Sequence, residues 1–540
     1  MSSPAAVIVV GSGISGCSAA KTLVDLGIRT HLIDIGFDDP HLRDEIPDAP
    51  FSEIRAQDRN QAKYFIGERL QGILRKGIKV GAQLTPPRQF IHQEVDRWLP
   101  VLPGAFAPLQ STSLGGLGAG WGAACFTFSA GELSDAGLPA EEFPELYRCA
   151  ASMIGVSADP ESPVSRWLWH PAPPAQPPLL VDDNAQLILK RSEERRERLE
   201  RLGIHAGKIP MAILSEDRPP RRANPYFDMD FYGDSRMSIF RPRYLVTEML
   251  RSKNFTYSPG HAVLSVTKLP GDDIGVLALH TESGKPVSFT AKKVVLCAGA
   301  INTGRITLNS LGLFHKQTSL LCSPYTYFPC VNLRMLGKRA ADQRHSMAQF
   351  GGVLLSNAGD RVDGVFQMYS YRSLLIFKLV KEMPLPPSSA LLAARVLINA
   401  LAIFGIFFED LQSQEKTLQI VPTGADQPPA LQFSYSLSEV EENWKQEAEQ
   451  RFRRGLWQMG CVPIGRVDPG HGGSIHYAGT VPFRNPKLPG VQTNTDGCVE
   501  GLPGVYVGDS ASWTYLSAKG PSFTLSANAI RVARMAARTL

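Results

Sequence analysis

The sequence lacks closely spaced cysteines. None of its eight cysteines is separated from another by the two residues typical of zinc sites and dithiol redox motifs. Several of them lie in apolar runs, as Cys297 does directly after Val294, Val295 and Leu296, and such runs favour small buried side chains. We therefore expect reduced cysteines and no bound metal.

The chain also has little excess charge for its length of 540 residues. Lys and Arg number 56 and Asp and Glu number 51, which leaves a net charge of +5, and the basic residues are spread along the sequence. A nucleic-acid partner is not expected, because such a partner needs a concentrated basic surface.

A signal-type N-terminus is missing as well. The first apolar run, at residues 5–10, has no basic region before it and leads directly into a glycine-rich turn, which favours a strand over an export signal. We expect a cytoplasmic protein. Because the chain is too long for one hydrophobic core, we also expect two domains, or one domain with an inserted lobe.

A strand–turn–helix pattern opens the chain. A short apolar strand at 6–10 leads into a turn, then a helix over 17–26 and a second strand over 30–35 that carries Asp34. The turn consists of Gly11, Ser12, Gly13, Ile14, Ser15 and Gly16. A glycine turn between a strand and a helix, followed by an acid about twenty residues later, is typical of a dinucleotide site.

Each part of this pattern has its own physical task. Gly11 permits the tight turn, Gly13 lets the backbone approach a diphosphate, and Gly16 allows close packing of helix on strand. The helix N-terminus near Ser15 attracts the phosphate charge. Asp34 can accept hydrogen bonds from the adenosine ribose hydroxyls, and its charge would repel a 2′-phosphate. The pattern predicts a bound dinucleotide and leaves FAD and NAD both open.

Three further segments add to this turn. They are a glycine-rich loop at 113–122 (SLGGLGAGWG), a strand and turn at 294–303 (VVLCAGAINT), and a C-terminal run with HYAGT at 476–480, GVYVGDS at 504–510 and PSFTL at 521–525. In content, order and spacing, the four segments resemble the glucose–methanol–choline (GMC) oxidoreductase superfamily over most of the chain. The middle of the chain is more similar to divergent bacterial members.

The resemblance implies FAD as the cofactor. The second glycine loop would lie against the isoalloxazine ring, the strand at Val263 would pass the adenine, and Asp509 would hold the ribityl chain. The last helix, which opens at 521–524, would direct its positive end at the flavin pyrimidine. The implied FAD-binding residues are Gly11, Ser12, Gly13, Ile14, Ser15, Gly16, Asp34, Gly115, Gly116, Gly118, Trp121, Gly122, Val263, Ala298, Gly299, Asp509, Pro521, Phe523 and Thr524.

We expect this FAD to be bound without a covalent link. Family members that tether the flavin usually do so from a histidine in or beside the second glycine loop. Residues 113–125 contain no histidine, and Cys125 is the only plausible nucleophile among them.

The resemblance also points to a catalytic residue. His476 matches the family histidine that removes the substrate hydroxyl proton while hydride passes to the flavin. The family's second catalytic residue, His or Asn before the last helix, is replaced here by Gly520, which has no side chain to bind a substrate oxygen. Residues near it in sequence that would offer a substitute are Lys519, Tyr515, Tyr477 and His471.

Three functional hypotheses follow. The leading one is an FAD-dependent oxidoreductase that takes hydride from the CH–OH group of an alcohol, sugar or natural-product intermediate and passes electrons to O2 or another carrier. Gly520 keeps open a redox-neutral flavoenzyme, such as a lyase or isomerase. A non-catalytic binding protein is the third, and the intact turn glycines, Asp34 and Asp509 argue against it. The expected partner is a small-molecule substrate, which can be sizeable or apolar.

The expected fold is α/β. A Rossmann-like FAD-binding domain would be built from residues 1–156, 235–315 and 465–540. Residues 157–234 and 316–464 would form an inserted α+β substrate-binding lobe on a mainly antiparallel sheet.

An apolar block at 390–408 needs a separate interpretation. It contains Arg395 and Asn399 and follows several prolines, which disfavours a membrane-spanning helix. We expect a buried helix running into a strand, and a segment that contacts a membrane surface or a lipid substrate stays open as the alternative.

Overall fold

The computed structural model describes residues 5–39, 46–66, 86–340, 344–356, 361–370, 380, 383–424, 427–484 and 490–540. Within them, the α-helices are α1 (Ile14–Asp25), α2 (Phe51–Gln57), α3 (Ala62–Ile66), α4 (Val95–Trp98), α5 (Ala130–Asp135), α6 (Phe143–Ile154), α7 (Ser165–Leu168), α8 (Asp183–Glu194), α9 (Arg196–Glu200), α10 (Arg243–Met249), α11 (Ala300–Ser310), α12 (Pro387–Leu397), α13 (Glu439–Gln458) and α14 (Ser522–Arg538).

The strands come from all parts of the chain. They are β1 (Ala5–Val10), β2 (Thr30–Ile33), β3 (Ile204–Gly207), β4 (Phe255–Ser258), β5 (His261–Lys268), β6 (Ile274–His280), β7 (Pro286–Leu296), β8 (Thr318–Ser319), β9 (Leu321–Cys322), β10 (Tyr325–Asn332), β11 (Phe350–Leu355), β12 (Val362–Ser370), β13 (Leu401–Phe408), β14 (Asp410–Leu411), β15 (Thr417–Val421), β16 (Ala430–Ser434), β17 (Cys461–Pro463), β18 (Tyr477–Ala478), β19 (Val505–Val507) and β20 (Tyr515–Leu516).

A seven-stranded sheet combines strands from both ends of the chain. Its order is β4-β2-β1-β7-β6-β5, with β19 also paired to β7. The pairs β4–β2, β2–β1, β1–β7 and β7–β19 are parallel, and β5, β6 and β7 form an antiparallel meander. Val7 and Val9 of β1 pack in one core, and Ile8 and Val10 pack in another on the opposite side. Both faces of β1 are therefore buried, as its continuous apolar run requires.

The parallel pairing sets the position of the candidate site. Gly11, Asp34, Cys297 and Gly508 each follow directly after the last residue of a strand, β1, β2, β7 and β19 respectively. Because the carboxyl ends of parallel strands meet at one edge of a sheet, four distant sequence segments converge there.

The first and last long helices pack against each other. Helices α1 and α14 are in extensive contact, and the hydroxyls of Ser18 and Ser526 are hydrogen-bonded at 2.8 Å. The buried face of α14 consists largely of small residues, including Ala527, Ala529 and Ala533, which let the two backbones approach closely. The end of the chain is therefore built into the core that the N-terminal turn rests on.

The second large sheet is antiparallel, with the order β17-β10-β13-β12-β11-β3. Alternate residues of its strands, such as Phe366 of β12 and Phe404 of β13, pack with Phe452 of α13 in a separate core. The alternate positions on the same two strands, Gln367 and Phe407, therefore face the opposite side, where the candidate site lies.

This architecture confirms the predicted fold class: an α/β protein whose parallel-stranded sheet carries the glycine turn, joined to a lobe on a mainly antiparallel sheet. The division at residues 156, 234, 315 and 464 stays a prediction. None of the helices in the described ranges is both long and apolar enough to cross a bilayer.

The apolar block at 390–408 is a helix followed by a strand, as predicted. The strand β13 is central in the lobe sheet and mostly buried. The expectation that the helix is buried is wrong, because α12 buries only Ala390 and Ala394, while Leu391 and Leu392 are exposed.

Candidate active site

One continuous cavity lies at the carboxyl edge of the parallel sheet. It extends from the N-terminal glycine turn to the face of the antiparallel lobe sheet. The sequence-predicted residues that line it are Gly11, Ser12, Gly13, Ile14, Ser15, Asp34, Gly116, Gly118, Trp121, Gly122, Val263, Ala298, Gly299, His476, Asp509 and Pro521.

Four predicted residues do not line this cavity. Gly16 is a packing position, since a Cβ there would lie 1.7 Å from the Gly11 carbonyl oxygen. The backbone N–H of Gly115 donates to Ser12 Oγ at 2.8 Å. The side chains of Phe523 and Thr524 are turned into the core, where Phe523 stacks on Tyr147 at 5.3 Å and Thr524 Oγ1 is 2.9 Å from the Tyr147 hydroxyl. At the start of α14, the residues that reach the cavity are Pro521, Ser522 and Leu525.

A hydrogen-bond chain joins three of the predicted motifs. Gly115 of the second loop donates to the hydroxyl of Ser12 in the first loop, and that hydroxyl donates in turn to the carboxylate of Asp34. The Ser12 N–H also donates to Asp34, at 3.2 Å. Burial raises the pKa of Asp34 to about 6, although these hydrogen bonds oppose the rise. Asp34 is therefore held in a fixed orientation at the end of β2.

The glycines leave room on the cavity side. A Cβ added to Gly13 or to Gly299 would meet no atom within 4 Å, although both residues line the cavity. The N-terminus of α1 has no side-chain cap, so its first N–H groups face this space. Two open backbone positions beside a helix N-terminus fit a diphosphate, and this part of the cavity therefore fits the dinucleotide that the sequence predicts.

Asp509 lines the cavity beyond the end of β19, which pairs with β7 as β1 does. Its carboxylate accepts hydrogen bonds from Thr303 Oγ1 at 2.6 Å and from the Ala511 N–H at 2.9 Å. Burial raises its pKa to about 6. The predicted contact of Asp509 with a ribityl hydroxyl stays a prediction.

A buried guanidinium adds a positive charge to the cavity wall. Arg305 on α11 is 3% exposed, and Nη2 donates to the Pro100 carbonyl at 3.1 Å. Among the described residues, its Nε and Nη1 have no hydrogen-bond partner, and neither does the nearby Oδ1 of Asn302, which also lines the cavity. Burial lowers the pKa of Arg305 to about 9, so the group is still charged at neutral pH. Such orphaned polar atoms are suited to a polar ligand.

His476 stands at the other end of the cavity. It directly precedes β18, which pairs with β9, and the Tyr477 hydroxyl donates to the Gly472 carbonyl at 2.6 Å. The residue before it, Ile475, has φ of 67°, a left-handed conformation that is costly for a β-branched side chain. Strained backbone of this kind concentrates at functional sites, and Ile475 also lines the cavity.

The imidazole of His476 is half-buried against an aromatic ring. Its ring stacks on Phe407 of β13 with 4.6 Å between the centroids. Desolvation lowers its pKa to about 4, so it is neutral at neutral pH. Among the described residues, Nδ1 has no hydrogen-bond partner. A neutral imidazole with an unused nitrogen is suited to accept a proton.

Gly520 lies directly beside this imidazole. Three of the sequence-predicted substitutes are engaged elsewhere: Lys519 Nζ is 2.6 Å from Glu132, the Tyr515 hydroxyl donates to Glu409, and His471 packs on Tyr435. None of these three lines the cavity. Tyr477 does line it, but the hydroxyl of Tyr477 is already bonded to the backbone.

Two polar residues that the sequence analysis missed lie on the lobe side. Gln367 and Tyr369 occupy alternate positions on β12, share the sheet face with Phe407, and line the cavity. The Tyr369 hydroxyl donates to Gln367 Oε1 at 2.8 Å and would lie 3.2 Å from a Cβ on Gly122 of the second glycine loop. The lobe therefore places a polar pair over that loop. Polar residues at alternate positions of a largely buried strand were the available signal.

Known proteins resemble this chain in fold. No family model and no curated protein sequence matches it. Solved structures that match are an FAD-dependent oxidoreductase from Chaetomium thermophilum (14% identity, 99% of each chain, TM-score 0.59) and a mutant of Aspergillus oryzae formate oxidase described for its effect on FAD modification (11% identity, 100% of this chain and 99% of that one, TM-score 0.62). A third is pyridoxine 4-oxidase from Mesorbium loti (13% identity, 98% of each chain, TM-score 0.56).

These likenesses extend over the whole chain. At such low identity they establish the fold and leave the reaction open. The chain has the fold of FAD-dependent oxidoreductases, which supports the resemblance to the GMC superfamily at the level of the fold. The similarity to divergent bacterial members stays a prediction.

Proposed function

We propose that the protein is an FAD-dependent oxidoreductase that oxidises a CH–OH group, with His476 as the general base. The supporting observation is the position of His476: a half-buried, neutral imidazole with an unused nitrogen, in the same cavity as the glycine turn and Asp34. FAD supplies the hydride acceptor when it is bound. The first glycine turn, Asp34 and Asp509 would hold it.

In this reaction His476 accepts the hydroxyl proton of the substrate while the adjacent C–H bond gives up hydride. The low pKa keeps the imidazole unprotonated at neutral pH, and the stacked ring of Phe407 fixes its plane. A positioned base of this kind contributes about 10²–10⁴ in rate.

Gln367 and Tyr369 on the lobe sheet would take the role of the side chain that Gly520 lacks. The Tyr369 hydroxyl and the Gln367 amide lie on the sheet face that Phe407 shares, and both reach the cavity. We propose that they hydrogen-bond the substrate oxygen, a task that the family assigns to the residue before the last helix. Burial raises the pKa of Tyr369, so its hydroxyl stays protonated and can donate its one proton to the substrate oxygen in exchange for its bond to Gln367.

The proposed substrate is an alcohol, a sugar or a natural-product intermediate, and the electron acceptor is O2 or another carrier. Trp121, Tyr369 and Phe407 supply aromatic surface at this end of the cavity, which suits a sugar ring or an apolar group. The named activities of two structural neighbours, formate oxidase and pyridoxine 4-oxidase, are both oxidations.

A redox-neutral flavoenzyme on the same fold is a second candidate, because Gly520 lacks the side chain that would bind the oxygen of an alcohol substrate. Anaerobic mixing of FAD-loaded protein with alcohols and glycosides separates the two functions. Loss of the visible flavin band supports oxidation. Conversion of a compound with the flavin band unchanged in a single turnover supports the redox-neutral candidate.

The role of His476 is tested with a substrate that bleaches the flavin. His476→Asn should retain FAD and slow the reduction by about 10²–10⁴. His471→Asn is the matched control, because His471 lies near in sequence but outside the cavity lining, and its rate should stay within about twofold. A near-normal rate in His476→Asn at full FAD content would remove His476 from the catalytic role.

A further inference from the structure

Helix α12 has its large apolar side chains on the wrong side for a water-facing helix. Ala390 and Ala394, one turn apart, are buried. Leu391, Leu392 and Val396 are 46%, 64% and 48% exposed. An amphipathic helix on a protein surface normally turns its leucines inward, whereas α12 buries two alanines and leaves its leucines exposed together with Ser388, Ser389 and Arg395.

A neighbouring segment extends this surface. Leu333 and Leu336 are 57% and 38% exposed. The Gly337 N–H donates to the Val396 carbonyl at 3.3 Å, and Asn399 Nδ2 donates to the Lys338 carbonyl at 2.8 Å, so the two segments lie side by side. We call the exposed residues of both segments the apolar face; its members are Leu333, Leu336, Leu385, Leu391, Leu392 and Val396.

The charged residues within these two segments are all positive. Arg334, Lys338, Arg339 and Arg395 are exposed, and residues 333–340 and 383–400 contain no Asp or Glu. Six apolar side chains and four cations thus lie together, which is the composition of an interfacial membrane-binding surface.

The end of α8 adjoins this surface and carries both signs of charge. The guanidiniums of Arg191 and Arg198 lower the pKa of Arg195, and Arg334 adds to this effect, while Glu194 opposes it. Arg334 also lowers the pKa of Glu194, so the end of α8 lies near the segment that carries Leu333 without adding a purely positive charge.

We propose that the apolar face docks on an anionic lipid bilayer, with its leucines in the headgroup region and its cations against the lipid phosphates. A second copy of the chain fits less well, because a two-fold contact would set these cations against one another. A protein partner fits less well because the face contains no aromatic residue, the side chains that anchor most protein interfaces.

The docked face is close to the candidate active site along the chain. Strand β13 begins a few residues after α12 and carries Phe407, whose ring stacks on His476. Phe407 is six positions after Leu401 on this strand, which corresponds to a distance of about 20 Å between them. A bilayer on this face would therefore lie on the side of the lobe from which β13 leads to the cavity.

The test is co-sedimentation of the FAD-loaded protein with vesicles. Vesicles of phosphatidylcholine alone are compared with vesicles of equal parts phosphatidylcholine and phosphatidylglycerol, at low and high salt. We expect binding to the anionic vesicles that weakens with salt, and little binding to the neutral ones. Leu392→Ser with Val396→Ser, and separately Lys338→Glu with Arg339→Glu, should each weaken binding on the order of tenfold or more.

Leu250→Ser is the matched control, because Leu250 is 57% exposed beside Arg251 but lies far from α12 in sequence, next to α10. It should bind vesicles like the wild type. FAD content and thermal unfolding of every variant show whether the fold is intact. Equal binding of wild type and both double variants would overturn the proposal. A dimer that Leu392→Ser dissociates, with no vesicle binding, would overturn it in favour of a second copy.

Discussion

Gly520 and His476 lie side by side in the cavity wall: a Cβ on Gly520 would lie 3.7 Å from Cε1 and 3.8 Å from Nε2 of the imidazole. These are ordinary contact distances, and Gly520 does not have a left-handed φ. A side chain would therefore fit without backbone strain, and its absence leaves space against the base. We interpret this space as part of the substrate-binding volume, because Gly520 lines the cavity.

Filling that space should impair substrate binding. We expect Gly520→Asn to raise KM by about tenfold or more, since its side chain would occupy the room beside His476. FAD content and the thermal midpoint should stay unchanged. Gly520→Ala is the matched control, with a smaller rise in KM. A higher kcat at unchanged KM in Gly520→Asn would mean instead that the site lacks a catalytic partner that the asparagine restores.

The low pKa of His476 predicts an unusual pH profile. Its folded pKa of about 4 lies below the value of about 6.5 for a free histidine, so the imidazole stays neutral well into the acid range. The rate of anaerobic flavin reduction should therefore be flat from about pH 8 to about pH 5 and fall only below that. A midpoint near pH 6.5 would show that the imidazole is solvated in the working enzyme.

The same shift has a consequence for stability. A depressed histidine pKa means that the unfolded chain binds the proton more tightly. The contribution of neutral His476 is therefore present above about pH 6.5 and is lost as pH falls towards 4. Thermal unfolding of His476→Asn should show a weaker loss of stability than the wild type over this interval.

Asp34 predicts a pH-dependent affinity for FAD. Burial raises its carboxyl pKa to about 6, and ribose hydroxyls would donate to the ionised form. We expect the apoprotein to bind FAD about tenfold more tightly at pH 7 than at pH 5. At pH 5 the Asp34 carboxyl group is mostly protonated and must lose its proton before it can bind the ribose hydroxyls. Asp34→Asn should bind more weakly and lose most of this dependence. Titration of flavin fluorescence measures both.

An unchanged pH dependence in Asp34→Asn would assign the effect to Asp509, whose pKa burial also raises to about 6. Asp509→Asn is the parallel variant that makes this distinction. In the absence of FAD, a raised carboxyl pKa lowers stability as pH rises from about 4 through about 6.

The parts of the site that the sequence predicts are those set by local structure. A strand, a glycine turn and a helix adjacent in sequence fix the positions of Gly13 and Asp34, and the motif resemblance brings His476 and Asp509 to the same edge. All four line one cavity. Phe523 was predicted to bind FAD because it lies at the start of the last helix. It does not line the cavity, because its side chain packs on Tyr147 in the core.

Residues contributed by long-range pairing could not be predicted in the same way. Gln367 and Tyr369 reach the cavity only because β12 pairs with β13 in the register that sets Gln367 opposite Gly405. A shift of one residue would turn both to the opposite face. The orientation of α12 is a similar case, since apolar residues occur on more than one side of this helix and the packing of Ala390 and Ala394 decides which of them are exposed.

FAD bound without a covalent link stays a prediction. Cys125 is fully buried, is not part of the cavity lining, and has a thiol pKa raised by burial, which makes it a poor nucleophile. Acid precipitation should release all yellow colour into the supernatant. Colour retained in the pellet, and lost in His476→Asn or in Cys297→Ser, would identify a tether at that residue of the cavity.

Arg305 provides the sharpest test of how the cavity holds its cofactor. Its helix, α11, packs against β5, and Asn309 one turn further on donates to the Leu264 carbonyl of that strand. Arg305 therefore lies in the cavity wall on a helix that contacts both the strand of Val263 and β18, and its Nε and Nη1 lack partners among the described residues. A charged donor in this position is suited to the FAD diphosphate.

We expect Arg305→Gln to weaken FAD binding to the apoprotein by about tenfold or more, the usual effect of losing a hydrogen bond to a charged group. Riboflavin, which lacks the diphosphate and adenosine, should bind wild type and variant equally. Asn309→Asp is not a suitable control because it disturbs β5, so Arg251→Gln, a surface change outside the cavity lining, serves instead. An equal loss for FAD and riboflavin would indicate that Arg305 only supports the cavity wall. An undiminished FAD affinity, together with a raised KM for an anionic substrate, would indicate that Arg305 binds the substrate and not the cofactor.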